Sequence, residues 1–132
     1  GGTLAGLVLG ESIGPIVGVP VCDDASYFEA IVRQVASEAA QWGANALKVP
    51  GDGWSLLEGY QGPGYGIATP PVWEVIRQVA TLEGIFLDPV YSGKAMHAML
   101  SEVAAGRLGG RLLFWHTGGT FGMMGRGEEA FL

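Results

Sequence analysis

The sequence predicts an α/β fold: a three-layer, mostly parallel sheet with helices on both faces. Three observations predict it. Segments with helical apolar spacing alternate with short runs rich in β-branched residues. Most connections are short and rich in Gly and Pro, and Gly reaches 23 of the 132 residues without any repeat. Apolar residues make up 48 % and charged residues only 15 %, against a usual charged share of about 25 %. A surface so poor in charge is expected to face another protein or further chain. Residues 1–132 read as one partial domain, with no second domain and no internal repeat.

The elements follow in order. Leu4–Leu9 is an apolar run after Gly1-Gly2-Thr3, and Thr3 suits the cap of a helix opening there. Ile16–Val21, between Gly14-Pro15 and Asp23, reads as a buried strand. Asp23 or Asp24 caps a helix over 25–42, with Phe28, Ile31, Val32, Val35 and Ala39 on one stripe and Gly43 ending it. Residues 50–71 read as a long irregular segment, and loops of that length usually carry function.

A helix is expected over 71–83. Val72, Ile76, Val79 and Ala80 share one side, Pro71 fits the first turn, and Gly84 ends it. Ile85–Asp88 reads as a short buried strand. Ser92-Gly93 opens a helix to Ala105 with Met96, Met99, Leu100 and Val103 inward. Leu112–His116 reads as a further strand, and the tail as a short helix. Ligands in such sheets bind at the carboxyl ends of the strands. The loops leaving those ends are Cys22-Asp23, Asp88–Gly93 and His116–Thr120.

Charge and cysteine content exclude several functions. The net charge is −6 and the isoelectric point about 4.7, so nothing would neutralise a nucleic-acid backbone. One phosphate group can still be held by backbone N–H groups. The single Cys22 cannot form an internal disulfide, fits the cytoplasm, and reads as a small buried residue ending a strand. No apolar run approaches the ~20 residues that span a membrane. The chain opens at Gly1 inside a motif, without an initiator Met or a basic leader, as expected of a cut or truncated protein.

Four segments carry potential chemistry. Gly1-Gly2-Thr3-Leu4-Ala5-Gly6 is a glycine turn entering a helix, suited to an anion, although such turns are also ordinary structural features. Gly62-Pro63-Gly64-Tyr65-Gly66 can aim Tyr65 into a pocket or pin a loop. Asp88-Pro89-Val90-Tyr91-Ser92-Gly93-Lys94 places Tyr91 and Ser92 at a strand end. It also sets Lys94 in the first turn of a helix, where the helix dipole disfavours a cation, so something specific should hold it. His116-Thr117-Gly118-Gly119 follows a strand, and His116 reads as a satisfied interior histidine. His97 reads as a helix-face residue. No metal-ligand spacing and no Ser/His/Asp arrangement is present.

These segments, in this order, resemble the D-cysteine desulfhydrase / 1-aminocyclopropane-1-carboxylate (ACC) deaminase family of fold-type II pyridoxal-phosphate enzymes. The Asp-Pro-Val-Tyr-x-Gly-Lys string of Asp88–Lys94 is its most specific part. The resemblance implies the C-terminal part of the large domain of such an enzyme. It implies that Gly1, Gly2 and Thr3 cradle the cofactor phosphate, that Tyr65 and Tyr91 flank substrate and cofactor, and that Ser92 faces the pyridine nitrogen. The ACC deaminases carry Glu at the position of Ser92 and Leu at that of Thr117, so Ser92 and Thr117 match the desulfhydrase branch.

A carboxylate beside the ring nitrogen holds it protonated and makes the ring a strong electron sink, whereas a hydroxyl cannot impose that charge. The expected reaction of the complete enzyme is conversion of D-cysteine to pyruvate, ammonia and sulfide. ACC deaminase and cysteate sulfo-lyase activities are the rival readings. The family's Schiff-base lysine falls before Gly1, and neither Lys48 nor Lys94 matches it. The isolated chain is therefore expected to be inactive. It is expected to be a homodimer, or to pair with a missing N-terminal half. A non-catalytic α/β module that self-associates is the alternative from another class.

Overall fold

The computed structural model describes residues 1–10, 14–42 and 53–126; Gly43, Lys48 and the first part of the long loop lie outside the described residues. Helix α1 runs over Gly2–Leu9, strand β1 over Ile16–Gly18, helix α2 over Ala25–Gln41 and strand β2 over Trp54–Leu56. Helices α3 (Pro70–Glu83), α4 (Ser92–Ala104) and α5 (Phe121–Met124) follow.

β1 and β2 pair in parallel, with Ile16 beside Trp54, Val17 beside Ser55 and Gly18 beside Leu56. Backbone bonds from Ile16 N to Gly53 O (2.8 Å) and Leu57 N to Gly18 O (2.9 Å) extend the ladder. α1 packs on α2 and reaches β1; α3 packs on α4.

The helices follow from local chemistry. Gly1, not Thr3, takes the cap position of α1, and no side chain caps it. Asp24 caps the start of α2: its Oδ1 accepts from Tyr27 N at 2.9 Å and from Ser26 Oγ at 2.7 Å. Pro70 and Pro71 occupy the first turn of α3, where their missing N–H groups cost nothing, and Gly84 ends it in the left-handed region at φ 65°.

The core joins Val72, Trp73, Val75, Ile76 and Val79 of α3 to Leu87, with Met96 of α4 and Phe114 packed against it. Each fully buried aliphatic side chain of this kind contributes about 1.5–3 kcal/mol. Gly93 lets α4 approach α3 closely, since a Cβ there would meet Asp88 O at 2.6 Å and Ile76 Cδ1 at 2.8 Å.

Several expectations need correction. Trp54–Leu56 is a strand inside the segment read as irregular. Ile85–Asp88 and Leu112–His116 are not strands, because among the described residues neither has a ladder partner. Leu113 and Trp115 are instead well exposed. Of the expected inward face of α4, Met96 packs against the core, whereas Leu100 and Val103 are exposed; the buried side chains include Lys94, Ala98 and Glu102, spaced four apart. Cys22 is half-buried and its thiol donates to Asp23 Oδ2 at 3.1 Å. No described helix is long and apolar enough to cross a membrane.

Candidate active site

The approach to α4 is organised by Asp88, which is 1 % exposed. Its Oδ2 accepts from Val90 N and Tyr91 N, and its Oδ1 from Ser92 N, each at 2.8 Å. Ser92 Oγ donates to the same Oδ1 at 2.6 Å and accepts from Asp88 N at 2.8 Å. One carboxylate thus accepts from the two N–H groups leading into α4 and from its first, and it fixes the Ser92 rotamer. A hydroxyl has one proton and two lone pairs, so Ser92 keeps one lone pair uncommitted by these two bonds.

Tyr91 precedes Ser92, and its hydroxyl shares a short hydrogen bond with that of Tyr65 from the long loop. The two rings meet edge to face, with centroids 6.0 Å apart. The Tyr91 phenol is pushed up to about 12, first by the bond to Tyr65 and next by loss of water, with Asp88 adding repulsion. The Tyr91 phenol therefore keeps its proton through the neutral range. Both rings keep exposed edges, Tyr65 at 60 % and Tyr91 at 47 %.

The loop bearing Tyr65 is fastened at several points. Lys94 Nζ donates to Gln61 O at 2.5 Å, Gly64 O at 2.9 Å and, across the fold, Val21 O at 2.9 Å. Arg126 Nη1 donates to Gly66 O at 2.5 Å. Tyr60 Oη donates to Glu102 Oε1 at 2.5 Å, and Arg107 grips the same carboxylate through Nε at 2.8 Å and Nη2 at 2.6 Å. Those partners hold the Glu102 carboxyl down at about 2, the Arg107 hydrogen bond contributing most and Tyr60 next. His97 meets the Tyr60 ring edge to face.

The loop after residue 116 crosses Asp88. Gly119, at φ 94°, lies so close that a Cβ would stand 2.6 Å from Asp88 Oδ1. His116 Nδ1 accepts from Gly118 N at 3.0 Å, and its Nε2 meets Phe86 O at 3.2 Å. His116 is satisfied as expected, but it is exposed rather than interior. Thr117 is exposed on the same loop.

At the other side, the N–H groups of Gly2, Thr3 and Leu4 precede the first intrahelical bond, from Ala5 N to Gly1 O at 2.9 Å. They have no acceptor within α1.

The structure thus brings Tyr65 against Tyr91, sets Ser92 beside Tyr91 on Asp88, and runs the Thr117 loop past Asp88 through Gly119; the Gly1-Gly2-Thr3 turn lies against Ile31 and Phe28 of α2. It adds Asp88 and Lys94. For Asp88 the signal was an Asp-Pro pair just ahead of a helix start, a frequent side-chain-to-backbone turn. For Lys94 no local pattern names the acceptors, because they come from two distant segments.

The family model described as pyridoxal-phosphate dependent enzyme matches residues 1–118. The chain is 32 % identical to the bifunctional D-cysteine desulfhydrase/1-aminocyclopropane-1-carboxylate deaminase, mitochondrial, of Arabidopsis thaliana, over 98 % of this chain and 32 % of that protein. It is 38 % identical to the D-cysteine desulfhydrase of Salmonella newport, over 89 % of this chain and 37 % of that protein. A crystal structure of an ACC deaminase homologue superposes with a TM-score of 0.80 at 36 % identity, covering 98 % of this chain and 40 % of that one. The chain spans well under half the length of each.

Proposed function

This chain belongs to the pyridoxal-phosphate dependent enzyme family, and we propose that it supplies part of the active site of a D-cysteine desulfhydrase-like lyase. The complete enzyme would convert D-cysteine and water to pyruvate, ammonia and hydrogen sulfide. The observation that carries the desulfhydrase branch is Ser92. It offers a neutral hydroxyl where an acidic side chain would be needed to hold a ring nitrogen charged.

The residues fit the cofactor chemically. Three unpaired N–H groups at the start of a helix suit a phosphate, and the space above Gly2 is open, with no atom within 4 Å of a Cβ placed there. The Ser92 hydroxyl, which donates to Asp88 Oδ1, can turn that proton to an uncharged ring nitrogen, and Thr117 adds a polar side chain. Bound pyridoxal phosphate supplies the electron sink that lets an amino acid lose its α-proton and a β-leaving group.

The chain's own residues then have three tasks. Gly1, Gly2 and Thr3 anchor the phosphate. Ser92, held by Asp88, fixes the ring's rotation without adding charge. Tyr65 and Tyr91, one hydroxyl donating to the other, present a phenol proton beside the substrate that can be passed to a leaving sulfur and regained from water.

The partner surface is proposed from the apolar groove of about 660 Å³ lined by Leu82, Ile85, Phe86, Leu100 and Phe114. With exposed Leu113 and Trp115 beside these segments, it suits either a homodimer or the rest of a longer chain. The single Cys22 and the absence of a membrane-crossing helix among the described residues favour a cytoplasmic setting.

The test is the complete protein with pyridoxal phosphate. A yellow protein that releases sulfide from D-cysteine supports the reading. Release of α-ketobutyrate from ACC, or of sulfite from cysteate, in place of sulfide would assign the rival branch. Failure to bind the cofactor would remove the reading altogether. Light scattering with size-exclusion chromatography decides the oligomer.

A further inference from the structure

We infer that Lys94 is a positioning residue for the Tyr65–Tyr91 pair, acting as a built-in cation whose three backbone acceptors fix the segments that carry the site. The inference rests on the proposed role of the two tyrosines in turnover.

Lys94 is fully buried, at 0 % exposure. It lies in the first turn of α4, where the helix dipole disfavours a cation. Burial also lowers the affinity of its amine for a proton. Two unfavourable terms therefore act on one side chain. If only volume were needed, an apolar residue of similar length would do as well or better.

The ammonium persists because three carbonyl dipoles converge on it, one for each proton. None of the three belongs to a carboxylate, so the arrangement is a cation held by backbone rather than an ion pair.

Two of the acceptors lie in the loop that carries Tyr65. Val21 lies in the segment after β1, just before Cys22, whose thiol donates to Asp23 Oδ2. Gly64 precedes Tyr65, and its oxygen also accepts from Ile67 N at 3.3 Å, which closes the turn carrying that ring. Gln61 fixes the other arm of the same turn. Lys94 itself stands three residues after Tyr91 on the helix that orients it. One atom thus ties the segment after β1, the loop and α4 together, and the hydroxyl pair joins that loop to the start of α4.

The experiment uses Lys94→Met and Lys94→Ala in the complete protein, with tyrosines labelled at Cζ with carbon-13 and assigned through Tyr65→Phe and Tyr91→Phe. Both substitutions are expected to change the Cζ signals of Tyr65 and Tyr91 as loss of their mutual hydrogen bond does. kcat/KM should fall by about 100-fold, as for a reacting group displaced by about 1 Å. Lys94→Met combined with Tyr65→Phe should be no slower than Tyr65→Phe alone. Methylammonium should restore both signals and rate to Lys94→Ala, where it fits, and not to Lys94→Met.

Unchanged tyrosine signals in both variants would overturn the inference, as would rates that multiply in the double variant. Altered signals with undiminished turnover would leave Lys94 its role and instead defeat the proposed part of the tyrosines. Should neither variant fold, the unmodified protein still decides. A slowly exchanging Lys94 ammonium with through-bond coupling to three carbonyls is required, and its absence is fatal.

Discussion

Tyr65 and Tyr91 stand 26 residues apart in sequence and share one hydrogen bond between their hydroxyls. Each ring comes from a different kind of element, one a glycine-flanked loop and the other the entry to a helix. Replacing either hydroxyl removes the proton-holding pair. Tyr65→Phe and Tyr91→Phe are each expected to lower kcat/KM for sulfide release by about 100-fold or more, in line with loss of a positioned acid–base group. Steady-state assay of the complete enzyme checks this.

The same pair sets an alkaline limit. The folded-state value for Tyr91 is about 12, above its ordinary value of 10.0. A raised value means that the folded state holds the proton more tightly. The associated stability is fully present below pH 10 and is lost as pH rises towards about 12. Urea unfolding across that window should show a downward slope that Tyr65→Phe, by removing the partner, makes shallower.

Glu102 gives the opposite sign. Its carboxyl lies at about 2 against an ordinary 4.5, so its contribution is present above pH 4.5 and is lost as pH falls towards 2. Glu102→Gln should flatten the acid limb of a stability-against-pH curve between those values. It should also loosen Tyr60, visible as faster exchange of the Gly59 amide, which bonds to Gln61 Oε1 at 2.7 Å.

Asp88 and Ser92 form a closed buried pair. Ser92→Ala leaves one oxygen of a buried carboxylate short of a donor and is expected to cost about 1–3 kcal/mol in urea unfolding. Asp88→Ala removes the acceptor from the N–H groups of Val90, Tyr91 and Ser92 at once and should cost more than Ser92→Ala, because three donors then lose their partner.

Gly119→Ala tests the crossing of the 117–120 loop over Asp88. The residue would need φ 94° and would bring a Cβ within 2.6 Å of the carboxylate. A loss of more than about 1 kcal/mol is expected, together with weaker cofactor binding in the complete enzyme. Thermal unfolding and cofactor titration report the two separately.

What the sequence made legible follows the range of the forces involved. α2, α3 and α4 lie within a residue or two of the expected spans, since helical periodicity and caps are local signals. Tyr65, Tyr91 and Ser92 stand out in the sequence because each sits in a short glycine-containing motif, and the structure sets Tyr65 against Tyr91. The β structure was less legible. Trp54–Leu56 has only three residues and becomes a strand through Ile16–Gly18, far back in the chain. Leu112–His116 has strand composition yet no described neighbour to pair with. Lys94 was marked as a charge in the wrong place, but its acceptors Val21, Gln61 and Gly64 are invisible to any pattern read along the chain.

The enclosure of Lys94 has a practical consequence. The chain has two lysines, Lys48 and Lys94, and acylating reagents need a free amine lone pair in contact with solvent. Modification of Lys94 must then wait for an opening that breaks all three of its bonds, so its labelling rate in mass spectrometry becomes a clock for breathing of the whole site. Substrate or cofactor that steadies the site would slow that clock, which turns one side chain into a reporter of occupancy without any dye or assay.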